Sequence, residues 1–519
     1  MPVTDVAVEF HGILFPDAPS HPPMEAGMAP EFFADLNLDQ VVTAVTAGRE
    51  QYDLAPFFYT LPTDRRTIRH RQEVFRDLEE QAIAAVIGVF SRHMELMRGE
   101  FAEADKRYHA RQKQWGFLQV VTRYCGAVEG LTRDLQSAPI RSRGLGQFAD
   151  YLSAYQVSGA FRSLSAETQQ LRSELAGVGY RLYLHDNDVE VSQRIPAPDY
   201  GAAVDHTFAK FRQHAGGGEY HFDVPDFPEM NHVEAAVLEF VAQLHPAVFR
   251  SLEQYCERHR DFLDRVIAEF DRQVQFYLAY LEHMQRLQHG GLPFCYPEID
   301  SQSKAIECRD AFDLALAGRL SGTSHRVVPN DLELGAHERV VVVSGANQGG
   351  KTTFARMCGQ LHYLGRLGCP VPGRSARLFH FDRLFTHFER EEDLRTLRSK
   401  LEDDLTRIQA ILQRVTADSL LIMNESFSSA TLGDALLLSG QVMQRIVAKD
   451  LICVFVTFLD ELASFGETVV SMTSMVDPQD VARRTFKVVR RPADGLAYAM
   501  AIAQRYGLTY ESIKARIGA

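Results

Sequence analysis

One short motif constrains the fold of this chain more than any other feature of its sequence. The pattern GxxxxGKT is met by Gly345-Ala346-Asn347-Gln348-Gly349-Gly350-Lys351-Thr352. It directly follows an apolar run, 339–344, of the kind that is buried on both faces of a parallel sheet. The residues after it predict an amphipathic helix, whose apolar face comprises Phe354, Met357, Leu361 and Leu364. A strand, a glycine-rich loop and a helix in this order predict a phosphate-binding loop within an α/β domain.

The residue types of this loop fit the binding of a nucleotide. Glycines allow the backbone to curl so that its amides point at phosphate oxygens. Lys351 is expected to reach the terminal phosphates, and the hydroxyl of Thr352 is expected to bind Mg²⁺. A glycine-rich turn without a ligand is the alternative, but chance matches are seldom flanked by a buried strand and an amphipathic helix. The predicted nucleotide-binding residues of the loop are Gly345, Ala346, Asn347, Gln348, Gly349, Gly350, Lys351, Thr352 and Thr353.

Two further apolar runs, 419–423 and 452–456, predict strands of the same domain. The first is followed by Asn424-Glu425, where a phosphate-hydrolysing domain normally presents an Asp that helps to hold Mg²⁺ and a Glu that polarises the attacking water. Asn424 has the shape of Asp without its charge, so we predict a weaker metal ligand. Glu425 is the candidate catalytic base, with a solvated loop acid as the alternative. The second run ends in Thr457-Phe458, where some ATPases carry a γ-phosphate-sensing histidine.

The texture of the sequence predicts a multidomain chain with a mainly helical first half. An irregular segment, 1–35, precedes a helical core and lever, 36–176, with helices beginning near Leu38, Asp64, Arg107 and Ser165 and with the pair Thr63-Asp64 as a helix cap. A small insertion, 177–230, is predicted from two short alternating runs around 186–188 and from a glycine loop, 216–218. Steps of three and four from Phe262 to Met284 predict one face of a long helix within a helical return, 231–300. The α/β domain is predicted to span 301–519.

Charge and cysteine content restrict the class of protein. The formal net charge of -13 does not support a protein whose whole surface binds nucleic acid, although it allows a local basic surface. The candidate basic residues form three groups. Two lie on predicted helices, where a solvated helix face is the alternative: Arg65, Arg66, Arg69, Arg71 and Arg76, and then Lys106, Arg107, Arg111 and Lys113. The third lies near the small insertion: Arg181, Arg194, Lys210 and Arg212. The 7 cysteines are scattered, and no apolar run long enough to cross a membrane and no signal peptide is present, so we expect a reduced, cytoplasmic protein. Trp115 is expected in the core.

The order of the motifs resembles that of the MutS family of DNA mismatch-repair ATPases, which belong to the ABC-type nucleotide-binding class. GANQGGKTT resembles the P-loop of the family, SLLIMNESFSSATLGDAL its Walker B motif and D-loop, and FVTFLDEL the strand that usually ends in Thr-His. GLAYAMAIAQRYGLTYESIKARI resembles its C-terminal dimerising segment. The resemblance covers about 36–519 and is specific in about the last 200 residues.

The resemblance implies a composite site in a dimer. In the family two ATPase domains pair, and a signature segment of one completes the nucleotide site of the other. The matching stretch is 398–402, in which Ser399 is expected to cap a helix with the apolar face Leu401, Leu405, Ile408 and Leu412. A capped surface helix is the alternative for Ser399. The resemblance thus implies ATP and Mg²⁺ as cofactors, a homodimer formed through the ATPase domain, duplex DNA as the partner of a closing clamp, and a MutL-like or other repair protein as a further partner, without a membrane.

Three departures from the family pattern qualify these expectations. No segment before Leu36 has room for the mismatch-reading domain, Asn424 replaces the Walker B Asp, and Phe458 replaces the switch His. The leading hypothesis is a dimeric, ATP-binding DNA clamp that hydrolyses ATP slowly and acts in mismatch repair or related DNA maintenance. The alternative is a regulatory module that has lost ATPase activity and uses ATP binding to switch a protein–protein interaction. A third hypothesis, a small-molecule kinase, is supported only by the P-loop.

Overall fold

The computed structural model describes residues 10–17, 27–62, 64–185, 188–193, 230–389, 399–477, 484–493, 503 and 506–517. The chain divides into two compact units. The first comprises 1–10, 81–140 and 147–271, and the second comprises 11–80, 141–146 and 272–519. These units consist of discontinuous segments, whereas the sequence divides the chain into consecutive segments at 36, 177, 231 and 301, and that division stays a prediction.

The described helices lie in both units. They are α1 (Phe32–Asp35), α2 (Leu38–Thr46), α3 (Ala55–Tyr59), α4 (Arg65–Glu79), α5 (Gln81–Lys106), α6 (Ala110–Ser137), α7 (Arg143–Val157), α8 (Gly159–Ala176), α9 (His232–Leu244), α10 (Pro246–Arg258), α11 (Arg265–His289), α12 (Leu314–Leu320), α13 (Lys351–Leu367), α14 (Lys400–Arg414), α15 (Leu432–Ala448) and α16 (Tyr510–Ile517). Short 3₁₀ turns cover Glu50–Tyr52 and Asp460–Ser464.

The described strands form four sheets. They are β1 (Tyr180–His185), β2 (Asp188–Gln193), β3 (Phe294–Cys295), β4 (Glu298–Asp300), β5 (Ile306–Ala311), β6 (Asn330–Leu334), β7 (Val340–Gly345), β8 (Val371–Pro372), β9 (Ser375–Phe379), β10 (Leu384–Phe388), β11 (Leu420–Asn424), β12 (Ile452–Val456), β13 (Val469–Val476) and β14 (Arg484–Arg490). The largest sheet has the order β10-β11-β12-β7-β13-β14, and smaller sheets have the orders β4-β9-β5-β6, β3-β8 and β1-β2.

The six-stranded sheet is the centre of the second unit. Its first five strands are parallel, and β14 is antiparallel to β13. Strands β7, β11 and β12 are almost continuously apolar and buried, because helices cover both faces of the sheet there. One face packs on Ile408 and Leu412 of α14 and on Met443 of α15. Helix α13 packs on β7, β11 and β12 through its own apolar residues. The carboxyl ends of the parallel strands therefore meet at one edge, where loops are positioned by a rigid sheet.

The first unit is built mainly from helices. Buried side chains recur on α5 at steps of three and four, from Ile83 through Ile87, Phe90 and Met94 to Met97, which is the spacing of one helix face. Helices α5 and α6 pack together, and Glu100 of α5 forms an ion pair with Arg123 of α6. The hairpin of β1 and β2 pairs Tyr180 with Gln193 and belongs to the same unit.

Most predicted elements lie where the sequence placed them. The predicted strands 339–344, 419–423 and 452–456 are β7, β11 and β12, and the hairpin around 186–188 is formed by β1 and β2. Asp64 caps α4 by accepting a hydrogen bond of 2.8 Å from the amide of Thr67. The glycine loop 216–218 lies outside the described residues.

Several predictions are wrong in detail. Trp115 was expected in the core but is 43% exposed, because it lies on an outer face of α6. Leu405 was assigned to the apolar face of its helix but is 40% exposed. Arg71 is no surface cation, since its side chain is buried and donates to the carbonyls of Leu14 and Leu367. The region predicted as one long helix from Phe262 starts at Arg265.

Candidate nucleotide-binding site

The glycine-rich loop leaves β7 and enters α13 with an unusual backbone. Gly345, Gln348 and Gly350 have φ angles of 103°, 59° and 93°, in the left-handed region. Glycine is also needed at Gly345 and Gly349 because a Cβ would lie 2.8 Å from Oγ of Ser474 at the first position and 2.6 Å from it at the second. Strand β13, which carries Ser474, thus lies so close that only a bare backbone fits. This curled backbone at a helix N-terminus is the geometry of an anion-binding concavity.

Lys351 lies folded back over the loop. Its Nζ donates to the carbonyl oxygens of Gly345 at 2.9 Å and Ala346 at 3.3 Å, and to Oδ1 of Asn347 at 3.1 Å. Burial lowers the pKa of Lys351, and the carboxylates of Glu425 and Asp460 oppose that shift. The ammonium group therefore lies among neutral oxygens and near two carboxylates. Because it is partly desolvated, it can bind an anion that enters the loop.

Thr352, Asn424 and Glu425 meet at the same edge of the sheet. The hydroxyl of Thr352 donates to Oδ1 of Asn424 across 2.9 Å. Asn424 ends β11 and is 8% exposed. Glu425 follows with a φ of 53°, and its amide donates to the carbonyl of Val456 at 2.9 Å. The structure thus brings the predicted metal ligands and the predicted base together, beside the loop that holds Lys351.

These oxygen atoms fit a small divalent cation. Hydroxyl, amide and carboxylate oxygens are the ligands that Mg²⁺ takes in proteins, usually with few protein ligands and several waters. Thr352 and Asn424 supply two such oxygens, and the partly exposed Glu425 lies next to them. In the described part of the chain, no group of three or more His, Cys, Asp and Glu residues has metal-binding geometry. The arrangement therefore suits an ion held largely by a nucleotide and water.

Three residues at the loop carried no signal in the sequence. Ser474 of β13 contacts the loop, and Nε of Arg484 donates to the carbonyl of Asn347 at 3.0 Å. The backbone and ring of Phe486 lie 3.7 Å from where a Cβ of Gly350 would be, and its side chain is 49% exposed. All three come from β13 and β14, more than a hundred residues after the loop. Only the pairing of β13 with β7 places them there.

Ser399 caps α14, as predicted, by accepting a hydrogen bond from the amide of Glu402 at 3.3 Å. Ser399 is exposed, and Arg398 lies outside the described residues. Phe458, at the predicted sensor position after β12, is 45% exposed. Of the candidate clamp residues Arg181, Arg194, Lys210 and Arg212, only Arg181 is described, and most of the predicted dimerising segment before Leu508 lies outside the described residues too.

No helix in the described ranges has both the length and the apolar character needed to cross a membrane. The 7 cysteines are free thiols.

Comparison with known proteins finds similarity to one protein family, with a domain match that lies within the second unit. The profile of MutS domain V matches residues 341–515. The DNA mismatch repair protein MutS of Granulibacter bethesdensis is 28% identical over 247 residues, which are 47% of this chain and 26% of that protein. Endonuclease MutS2 of Gemmatimonas aurantiaca is 26% identical over 262 residues, 50% of this chain and 31% of that protein. The MutS of Thermotoga petrophila is 23% identical over 244 residues, 46% of this chain and 29% of that protein.

The matched region has the strands, loop and helices described above, and the chain spans less than a third of the length of these curated relatives. The resemblance expected from the motifs is confirmed by both the domain profile and the relatives. Residues 341–515 match MutS domain V, so the resemblance to the MutS family is confirmed for this part of the chain.

Proposed function

We propose that the chain is an ATP-dependent DNA-binding protein of the MutS type. It binds ATP with Mg²⁺ through the loop 345–353, hydrolyses it slowly with Glu425 as base, pairs with a second copy through the ATPase domain, and closes around duplex DNA in mismatch repair or related DNA maintenance. The observation that carries the proposal is the meeting of Lys351, Thr352, Asn424 and Glu425 at one sheet edge.

Each group has a defined role in the proposed reaction. The amides of the loop and Lys351 hold the phosphates, and the half-exposed ring of Phe486 offers a stacking surface for the base of the nucleotide. Thr352 and Asn424 would hold Mg²⁺, which would supply positive charge at the phosphate oxygens. Glu425 orients and polarises the attacking water. Since Asn424 is neutral, the chain binds the metal less tightly than a chain with Asp, and hydrolysis is slow.

Pairing through the ATPase domain is supported by exposed apolar side chains in its described part. Leu432 and Leu437 of α15 are 66% and 62% exposed, and Tyr510 and Ile517 of α16 are both 74% exposed. Such residues favour burial against a partner. In the proposed dimer Ser399 of one copy completes the nucleotide site of the other. We also propose that a MutL-like or other repair protein binds the ATP-bound form, and that the protein is cytoplasmic.

The measurement that tests the proposal is ATP turnover with and without duplex DNA. We expect slow turnover that changes when DNA is added, together with retention of DNA at moderate salt in an ATP-dependent manner. DNA binding that does not change when ATP is added would contradict the proposed clamp. The second candidate, a regulatory module without ATPase activity, is favoured by Asn424 and Phe458, and it predicts tight ATP binding with no turnover and no response to DNA.

A further inference from the structure

The carboxyl end of β10 carries two side chains that the motifs do not single out, His387 and Glu389. β10 runs parallel to β11, so that Phe388 lies opposite Asn424. His387 is completely buried, and Glu389 directly follows the strand. Each of them connects helix α14, which begins after Ser399, to the segment 425–428, which begins with the candidate base.

The buried connection uses both nitrogen atoms of His387. Nδ1 lies 2.9 Å from Oγ of Ser426, the residue after Glu425. Nε2 lies 3.4 Å from Oδ1 of Asp404, in the second turn of α14, but lacks the alignment of a hydrogen bond. Ser426 and Asp404 are both 3% exposed. A buried carboxylate beside Nε2 favours a proton on that nitrogen, which leaves Nδ1 to accept the hydroxyl proton of Ser426.

The second connection lies at the surface. Oε1 of Glu389 accepts a hydrogen bond of 2.7 Å from Oγ of Ser428 and another from the ammonium group of Lys400, the first residue of α14. The hydrogen bond from Lys400, followed by that from Ser428, holds the pKa of Glu389 below its ordinary value. Because exposed ion pairs are screened by water and contribute little, we assign the main role to the buried connection.

We propose that His387 is a positioning residue that transmits the position of α14 to Glu425. The inference rests on the proposed function, in which Ser399 at the start of α14 contacts the nucleotide of a second copy. Glu425 has a left-handed backbone, which is costly outside glycine and persists only when neighbouring contacts hold it. Val456 holds its amide from one side, and the contact of His387 with Ser426 holds the following residue from the other. A small shift of α14 aligns or separates Nε2 and Asp404, so pairing of two copies tightens or releases the base.

The connection is tested first in the nucleotide-free protein. The variants are His387→Asn, whose amide reaches only toward Ser426, His387→Gln, whose amide reaches only toward Asp404, and Asp404→Asn. The matched control is His362→Gln, since His362 is a buried histidine of α13 whose ring makes its hydrogen bond with the carbonyl of Cys358 in the same helix. We expect amide hydrogen exchange across 425–428 to be about tenfold faster in His387→Gln, which loses the contact with Ser426, because local opening sets the exchange rate. The increase should be smaller in His387→Asn and Asp404→Asn, which keep a group beside Ser426, and exchange should be unchanged in the control. Parent-like exchange in His387→Gln would overturn the proposal. Since ATP is absent, this result does not depend on the proposed function.

Kinetics then separate positioning from a purely structural role. We expect His387→Gln and Asp404→Asn to slow single-turnover ATP hydrolysis by about tenfold to a hundredfold while ATP affinity stays within about twofold, since a displaced catalytic group lowers rate rather than binding. The double variant should be no slower than the worse single variant, because both changes break one connection. Additive losses, or equal losses in ATP affinity and rate, would assign His387 to packing alone. Failure of the parent to bind ATP would instead contradict the proposed function.

Discussion

The hydroxyl of Thr352 donates a hydrogen bond of 2.9 Å to the side-chain oxygen of Asn424, so that the two predicted metal ligands contact each other directly. An Asp in place of Asn424 would accept the same hydrogen bond from Thr352 and add a negative charge. The amide therefore preserves the geometry of the site while removing the electrostatic attraction for a divalent cation. The two proposed functions, a slow ATPase and a module that only binds ATP, therefore differ in how well Asn424 serves as a metal ligand.

Asn424→Asp should lower the Mg²⁺ concentration needed for half-maximal ATP binding and raise turnover. The added carboxylate binds the ion by charge as well as by its oxygen. Asn424→Ala, which removes the oxygen altogether, is the matched variant and should raise the required Mg²⁺ concentration. The measurement is ATP binding and hydrolysis across a Mg²⁺ titration. Identical titration curves for the parent and both variants would remove Asn424 from the metal site.

Glu425→Gln should bind ATP and retain it. The amide keeps the shape of the side chain but cannot polarise the attacking water, so we expect turnover to fall by about a hundredfold or more. ATP affinity should change little. Radiolabelled ATP recovered intact from the protein after gel filtration checks this, with Glu461→Gln, an exposed acid of the nearby 3₁₀ turn, as the control. A Glu425→Gln variant with the turnover of the parent shows that another group is the base.

Lys351→Ala should weaken ATP binding by about 1.5–3 kcal/mol, or about 10- to 150-fold, because a charge-assisted contact with the terminal phosphates is lost. Lys351 is 4% exposed and bonds to three oxygens of its own loop, so the unfolding temperature must be measured alongside affinity. Lys449→Ala, at the exposed end of α15, is the control that removes one positive charge elsewhere. Equal affinity in Lys351→Ala and Lys449→Ala would show that the loop does not hold the phosphates.

The sequence predicted those parts of the fold that depend on neighbouring residues along the chain. The loop, its two flanking elements and the cap Ser399 follow from local motifs and from hydrophobic periodicity, and the structure has them at those places. The break between α4 and α5 has no such signal. It falls at Glu80, an extended residue within an unbroken run of good helix formers.

Contacts between distant segments were beyond prediction from the sequence. Ser474 approaches the loop only because β13 pairs with β7, and His387 meets Ser426 only because β10 pairs with β11. Arg71 looked like a surface cation because its partners are carbonyl oxygens, which every residue has and no motif reveals. Sheet order and burial are tertiary properties, so the groups that complete the site had to be read from the structure.

Acid should destabilise the second unit through three buried histidines. Burial lowers the pKa of His70, His283 and His362 to about 4, from an ordinary 6.5. Above pH 6.5 both folded and unfolded forms are neutral, so nothing is gained or lost. As pH falls from 6.5 toward 4 only the unfolded chain takes up the protons, and the free energy of unfolding should fall by roughly 1–2 kcal/mol per histidine between pH 7 and pH 5.

His362→Gln provides the control for this pH dependence, because it removes one of the three protonation sites. Its unfolding temperature should depend less steeply on pH than that of the parent, whatever its value at pH 7. Thermal unfolding at a series of pH values checks this expectation. Parallel curves for the two proteins would show that His362 does not remain neutral in the folded chain.

Ser399→Arg should uncouple ATP binding from pairing of two copies. In the proposed dimer the N-terminus of α14 covers the nucleotide of the other copy, so ATP and dimerisation strengthen each other by the same factor. An Arg removes the hydroxyl that caps Glu402 and adds bulk and charge at an exposed helix end. We expect the monomeric variant to bind ATP as the parent monomer does, while ATP no longer promotes dimers. Sedimentation of Glu425→Gln with and without ATP, alone and combined with Ser399→Arg, measures this, and Thr406→Arg on an exposed part of the same helix is the control. If Glu425→Gln stays monomeric at every ATP concentration, the composite site does not exist, and the proposed clamp loses its closing mechanism.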